Sequence, residues 1–138
     1  MNEALGFYDE QLPPDHRYVG AALLALGRAL IESERPAEAQ AKLTRALQIA
    51  NRAYSSDSPA MAAINAALGG ALLGQHRLTD AEPLLRDAYP ILLTVRGPED
   101  FYSNQVRDWI TALYAGMGQT QKAAVYFDSL AAKVPLPP

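Results

Sequence analysis

The side chains able to do chemistry in this 138-residue chain are few, and their spacing does not suit catalysis. Its two histidines, His16 and His76, are a whole helix apart in sequence, and neither has a paired carboxylate motif at metal-ligand spacing. Zinc takes three or four protein ligands, so both are read as solvent-facing turn residues and no metal site is expected. Ser58 sits between Asp57 and Pro59, but no histidine is placed to take its proton. That triplet suits a helix start better, as a capping side chain followed by proline at the first helical position. Gly69, Gly70 and Gly74 resemble part of a phosphate loop, yet no strand pattern precedes them and no Gly-Lys-Ser/Thr follows. Helix packing and a permissive turn account for them. Cysteine is absent, which removes disulfides, thiolate metal sites and a cysteine nucleophile. The expectation is a protein that is not an enzyme and carries no cofactor. What remains is one tryptophan, Trp109, and isolated charges such as Arg28 and Asp108, whose use would be recognition.

Composition narrows the partners. The formal charge of -3 leaves no basic field to collect phosphates, so nucleic acid is not expected as a partner. A polybasic membrane anchor is also missing, and apolar runs such as Val19 to Leu26 stop far short of the ~20 residues a membrane span needs. The N-terminus lacks the basic-then-apolar form of a signal peptide, and a cytoplasmic location is the expectation. About half the residues are apolar, dominated by alanine and leucine with few β-branched types, which favours helix.

The elements that must position Arg28, Asp108 and Trp109 emerge when the sequence is compared with itself. At an offset of about 42 residues, roughly eleven positions coincide between Tyr18–Pro59 and Ala60–Phe101, a period typical of helical-hairpin repeats. Leu26-Gly27 falls on Leu68-Gly69, Ala29-Leu30 on Ala71-Leu72, and Arg35 on Arg77. Ala39, Leu43 and Ala46 fall on Ala81, Leu85 and Ala88, so the matches form two helically spaced clusters around a polar turn. A third copy keeps the chemistry with Ile110, Tyr114, Ala123 and Phe127, and Gly116 and Gly118 mark its turn.

The connectors repeat as well. Pro14-Asp15, Ser56-Asp57 and Pro98-Glu99 share the offset, each placing an acid near a helix start where the macrodipole favours it. Each unit therefore reads as helix A, a tight turn and helix B. Residues 15–53, 57–96 and 99–132 are the three units. Residues 1–12, with Asn2 to Gln11 as helix, supply the second half of an earlier unit, and 133–138 form a proline-rich tail. Pro36 lies in the first turn of one helix B, Thr79 and Glu82 have capping-box spacing for the next, and Thr120 is placed to cap the third. Pro90 falls inside the second helix B and is expected to kink or shorten it near Ala88 to Ile91, at a cost of ~3 kcal/mol.

In these residues and their spacing the chain resembles the tetratricopeptide repeat family in its longer, kinesin-light-chain-like variety. The resemblance rests on Leu26-Gly27, Leu30, Ala39, Leu43 and Ala46 with their counterparts in the second and third units. The connectors Leu12-Pro13-Pro14-Asp15-His16 and Arg96-Gly97-Pro98-Glu99-Asp100 echo the family's own. It implies an all-α, right-handed superhelical solenoid of antiparallel helix hairpins that binds a protein or peptide in a concave groove lined by helix A. Carried over by register, the groove positions are Leu24, Arg28 and Ile31; then Ala63, Ala66, Gly70 and Leu73; then Gln105, Asp108, Trp109 and Ala112. Small residues in the middle unit predict a shallow depression there. Trp109 is expected either to anchor a partner or to fill the space between helices A and B.

The chain departs from two subclasses of that family. Kinesin-like repeats often carry paired asparagines in helix A, where this chain has Ala66-Ala67 with Asn65 one step earlier. The lysine and asparagine set that clamps C-terminal carboxylates is also missing, leaving Arg28 as the one candidate cation. The final unit, RDWITALYAGMGQTQKAAVYF, is similar to the closing repeat of tetratricopeptide tails on some bacterial serine/threonine protein kinases, which implies a C-terminal regulatory or scaffold part of a larger signalling protein. The alternative is a purely structural piece of a longer solenoid that self-associates into a homo-oligomer through Leu5, Phe7 and Tyr8 of its leading helix.

Overall fold

Proline, serine and aspartate decide where several of the helices begin. In the computed structural model, which describes residues 17–133, helix α1 spans Arg17–Glu32, α2 Pro36–Ala53 and α3 Pro59–Gly74. Helices α4, α5 and α6 follow over Leu78–Arg96, Phe101–Gly116 and Thr120–Lys133. The expected helix over residues 1–12, the first connector with His16, and the tail beyond Lys133 lie outside the described residues. Lys133 itself, assigned to the tail by sequence, closes α6.

Ser58 caps α3 by accepting a hydrogen bond from the Met61 N–H at 3.2 Å, with Pro59 at the first helical position. Asp100 caps α5 through the N–H groups of Tyr102 and Ser103, which donate to one carboxylate oxygen at 2.9 and 3.1 Å. The starts of α2 and α4 work differently and explain why arginine recurs at this offset. Arg35 and Arg77 occupy the cap positions without a side-chain cap bond. Each instead pairs with an acid in the first turn, Arg35 with Glu38 and Arg77 with Asp80, the latter at 2.9 Å. The acid lies at the positive end of the helix, and the arginine folds over it.

Two capping expectations are corrected here. Thr79 is the second residue of α4 rather than its cap, so the capping box does not form, and Glu82 turns to Tyr114 and Lys122 instead. Thr120 is the first residue of α6 and so stands inside the helix it was expected to cap. Pro90, expected to kink or shorten α4, does not shorten it: the helix runs from Leu78 to Arg96 through both Pro83 and Pro90. Pro90 has no N–H for the carbonyl of Arg86, four residues back. That carbonyl accepts a hydrogen bond from the Tyr126 hydroxyl at 2.7 Å. The neighbouring helix thus supplies the donor that proline removes.

Each A helix ends the same way. The Glu34 and Arg35 N–H groups donate to Ile31 and Leu30, those of His76 and Arg77 to Leu73 and Leu72, and those of Gly118 and Gln119 to Ala115 and Tyr114. These are Schellman turns, with Glu34, His76 and Gly118 at φ of 61, 62 and 70 degrees.

The three hairpins α1–α2, α3–α4 and α5–α6 stack side by side. Helix α3 is sandwiched between repeats and reads as apolar on every side, as a fully buried helix should. Its Met61, Ile64, Ala67 and Ala71 join the core of the first repeat, while Ala62, Ala63, Ala66 and Leu72 join that of the second and third. The recurring glycines mark where A and B helices approach. A Cβ on Gly27 or Gly69 would fall 2.5 or 2.8 Å from the Cγ of Leu43 or Leu85, so neither position admits a side chain without repacking. Successive A helices contact one another more extensively than successive B helices do, so the stack curves with α1, α3 and α5 on its inner side.

A candidate recognition face on the inner helices

The inner face is built from α1, α3 and α5, with α3 as its floor. Ala66 has no exposed surface, and Ala63 and Gly70 are also buried. Leu24 and Ile31 on α1, Leu73 on α3 and Trp109 on α5 are half-buried around this floor. Asp108 and Ala112 stand exposed on α5. The positions assigned to the groove thus lie on three helices, α1, α3 and α5, and range from fully buried to exposed.

The depression expected above the small residues is filled from both sides. Trp109 reaches across from α5 so closely that a Cβ on Gly70 would lie 2.8 Å from its ring. Its ring also meets Tyr102 edge-on, with centroids 6.2 Å apart and planes at 86 degrees. The tryptophan thus fills the gap between neighbouring A helices, a correction to the alternative that placed it between helices A and B. Arg28 arrives from α1, with its guanidinium carbon 3.9 Å from the Tyr102 ring centroid. Its Nη2 donates to Gln105 Oε1 at 3.4 Å, and Gln105 Nε2 donates to Glu32 Oε1 at 3.3 Å. Arg28 Nε is buried and has no hydrogen-bond partner among the described residues.

Tyr102 is the pivot of this group. It is 2% exposed, and its hydroxyl donates to the Ala63 carbonyl at 2.5 Å, which fixes the ring beneath Arg28. Burial pushes its phenol far above the usual tyrosine range, although the positive charges of Arg28 and Arg96 pull the other way. The ring is therefore neutral and offers its π face to the cation. Asp108 joins none of these contacts. Sequence reading identified Arg28, Gln105 and Trp109 but missed Tyr102 and Glu32. The available signal was size complementarity, because large residues on the outer A helices face Ala63, Ala66 and Gly70 on the middle one.

A second polar cluster ties α4, α5 and α6 together. The Tyr114 hydroxyl donates to Glu82 at 2.7 Å and accepts from Arg86 Nη1 at 3.0 Å, and Lys122 Nζ lies 3.2 Å from the same carboxylate. The Tyr114 hydrogen bond is the chief influence holding Glu82 below the usual carboxylate range, with Lys122 and Arg86 adding to it. Burial raises the phenols of Tyr114 and Tyr126. With every member paired across helix boundaries, the cluster acts as glue between repeats two and three. Among the described residues no group of acids and histidines is arranged to hold a metal ion, and no helix is long and apolar enough to cross a membrane.

The tetratricopeptide repeat family profile matches residues 18–94, more than half of the chain. The chain belongs to the tetratricopeptide repeat family. Among solved structures, the tetratricopeptide domain of Arabidopsis FLU is similar to it, with a TM-score of 0.63 at 18% identity over 88% of this chain and 97% of that one. At that identity the likeness concerns the fold. No curated protein matches the chain. Tetratricopeptide domains in general are non-catalytic protein-interaction modules, and this chain has their all-helical solenoid fold.

Proposed function

We propose that this tetratricopeptide repeat domain holds a peptide or partner helix along the inner face of α1, α3 and α5. The observation that carries the reading is the convergence of Trp109 and Arg28 on the Tyr102 ring, with Gln105 hydrogen-bonded to Arg28 and all three half-exposed. A tryptophan already held against Gly70 loses little side-chain freedom on binding, which is what makes aromatic anchors effective. Arg28 adds guanidinium donors, since among the described residues it makes one long hydrogen bond, to Gln105. Leu24, Ile31 and Leu73 would supply apolar contact, and the exposed Asp108 and Ala112 would border it. The similarity of the last repeat to the closing repeat of bacterial kinase tails supports a regulatory or scaffold role within a larger signalling protein.

Trp109 is the only tryptophan in the chain and reports directly on this face. Peptides selected from a random library on the immobilised chain should shift or quench its emission in a saturable titration. Selected peptides that bind without changing Trp109 emission would place the interaction elsewhere and defeat the assignment.

A further inference from the structure

Stacked helical repeats ordinarily couple only to their neighbours, so that stability is close to a sum of repeat and nearest-interface terms. In this chain the first and third repeats touch directly. Arg28 and Glu32, one turn apart on α1, face Tyr102 and Gln105 on α5, and every contact among them spans more than seventy residues of sequence. We propose that Arg28, Glu32, Tyr102 and Gln105 form a clasp that ties repeat one to repeat three across repeat two and thereby sets the curvature of the solenoid.

The chemistry is that of a lock with a fixed and a moving side. Tyr102 belongs to the fixed side, held by its hydroxyl on Ala63. Gln105 suits a place between a cation and an anion, because its amide oxygen accepts from Arg28 while its amide nitrogen donates to Glu32. The moving side is α1, whose two charged side chains reach Tyr102 and Gln105 on α5. Small middle-repeat residues let this happen, since a large side chain at Ala63 or Ala66 would hold Arg28 and Tyr102 apart. In the clasped form Arg28 covers one face of the Tyr102 ring, and release of the clasp uncovers that face to a partner. This last consequence rests on the inner-face binding reading, whereas the clasp itself does not.

Native-state hydrogen exchange on the full chain, without any ligand, tests the clasp. Gln105→Ala on α5 removes both hydrogen bonds to α1. The clasp predicts that α1 amides then exchange roughly 2- to 30-fold faster relative to those of the intervening α3. Thr111→Ala, on the same helix and with its hydroxyl donating to the Arg107 carbonyl of that helix, should leave that ratio unchanged. Arg28→Met should in turn raise exchange in α5 relative to α3. Equal acceleration of α1 and α3, or an unchanged α1, would show that coupling passes only between neighbours and would overturn the proposal. Confinement of the Arg28→Met effect to α1 and α3 would do the same. Since no peptide takes part, failure here leaves the binding reading to stand or fall on its own test.

Discussion

Single residues carry the repeat's logic in the A–B turns. Glu34, His76 and Gly118 occupy one register position with φ between 61 and 70 degrees, a region that costs an L-residue ~1–2 kcal/mol and glycine almost nothing. His76→Gly should therefore stabilise the chain by about 1 kcal/mol, less the added freedom of glycine in the unfolded state, as measured by urea unfolding. An unchanged or lowered midpoint would mean that His76 makes compensating contacts. The tyrosines give a pH prediction. Burial raises the phenols of Tyr102, Tyr114 and Tyr126, so their contribution to stability is complete below the ordinary pKa of 10.0 and is lost as pH rises through their folded values. The melting midpoint should fall steadily above about pH 10, and in an ultraviolet titration these phenols should ionise together with unfolding. Glu82 works in the opposite sense. Its folded pKa is depressed, so its contribution is present above the ordinary value of 4.5 and is lost as pH falls through the folded one. The turn role of His76 and the glycine of the third turn were legible in the sequence. The pairing of Tyr102 with Arg28 was not, because it joins residues 74 positions apart through curvature that no local pattern encodes.

At the scale of the helix, α4 shows how tertiary contact overrides a local rule. Pro90 is expected to kink or shorten the helix, but the Arg86 carbonyl that it leaves unpaired finds the Tyr126 hydroxyl and the helix runs on to Arg96. Tyr126→Phe should cost about 1–2 kcal/mol by orphaning that carbonyl. The same substitution in a Pro90→Ala background, where an N–H is restored, should cost measurably less in urea unfolding. Equal costs would show that the hydroxyl is not compensating for the proline. Ala81 has no exposed surface, so Ala81→Leu should lower stability by about 1–3 kcal/mol in a thermal melt. The cap at Ser58 and the prolines at the starts of α2 and α3 could be read from residue types, since each acts within its own turn. The capping box at Thr79 could not, because Glu82 has better partners in Tyr114 and Lys122 on other helices.

For the whole molecule, the 42-residue offset was enough to give an all-α solenoid, because each hairpin must bury its apolar stripe against the next. The register also assigned the candidate groove residues to the first helix of each hairpin, which are α1, α3 and α5. What it could not convey was how far the flanking repeats lean over the middle one, since that depends on Trp109 fitting Gly70 and on Arg28 reaching Tyr102. The central claim is that the inner face of α1, α3 and α5 receives a peptide. Its most direct test is to measure the affinity of one library-selected peptide for the parent chain, for Ala112→Arg on the inner face and for Thr44→Arg on α2, both exposed positions. The account predicts a loss of roughly tenfold or more for Ala112→Arg and none for Thr44→Arg. Undiminished binding by Ala112→Arg, or a loss confined to Thr44→Arg, would contradict it.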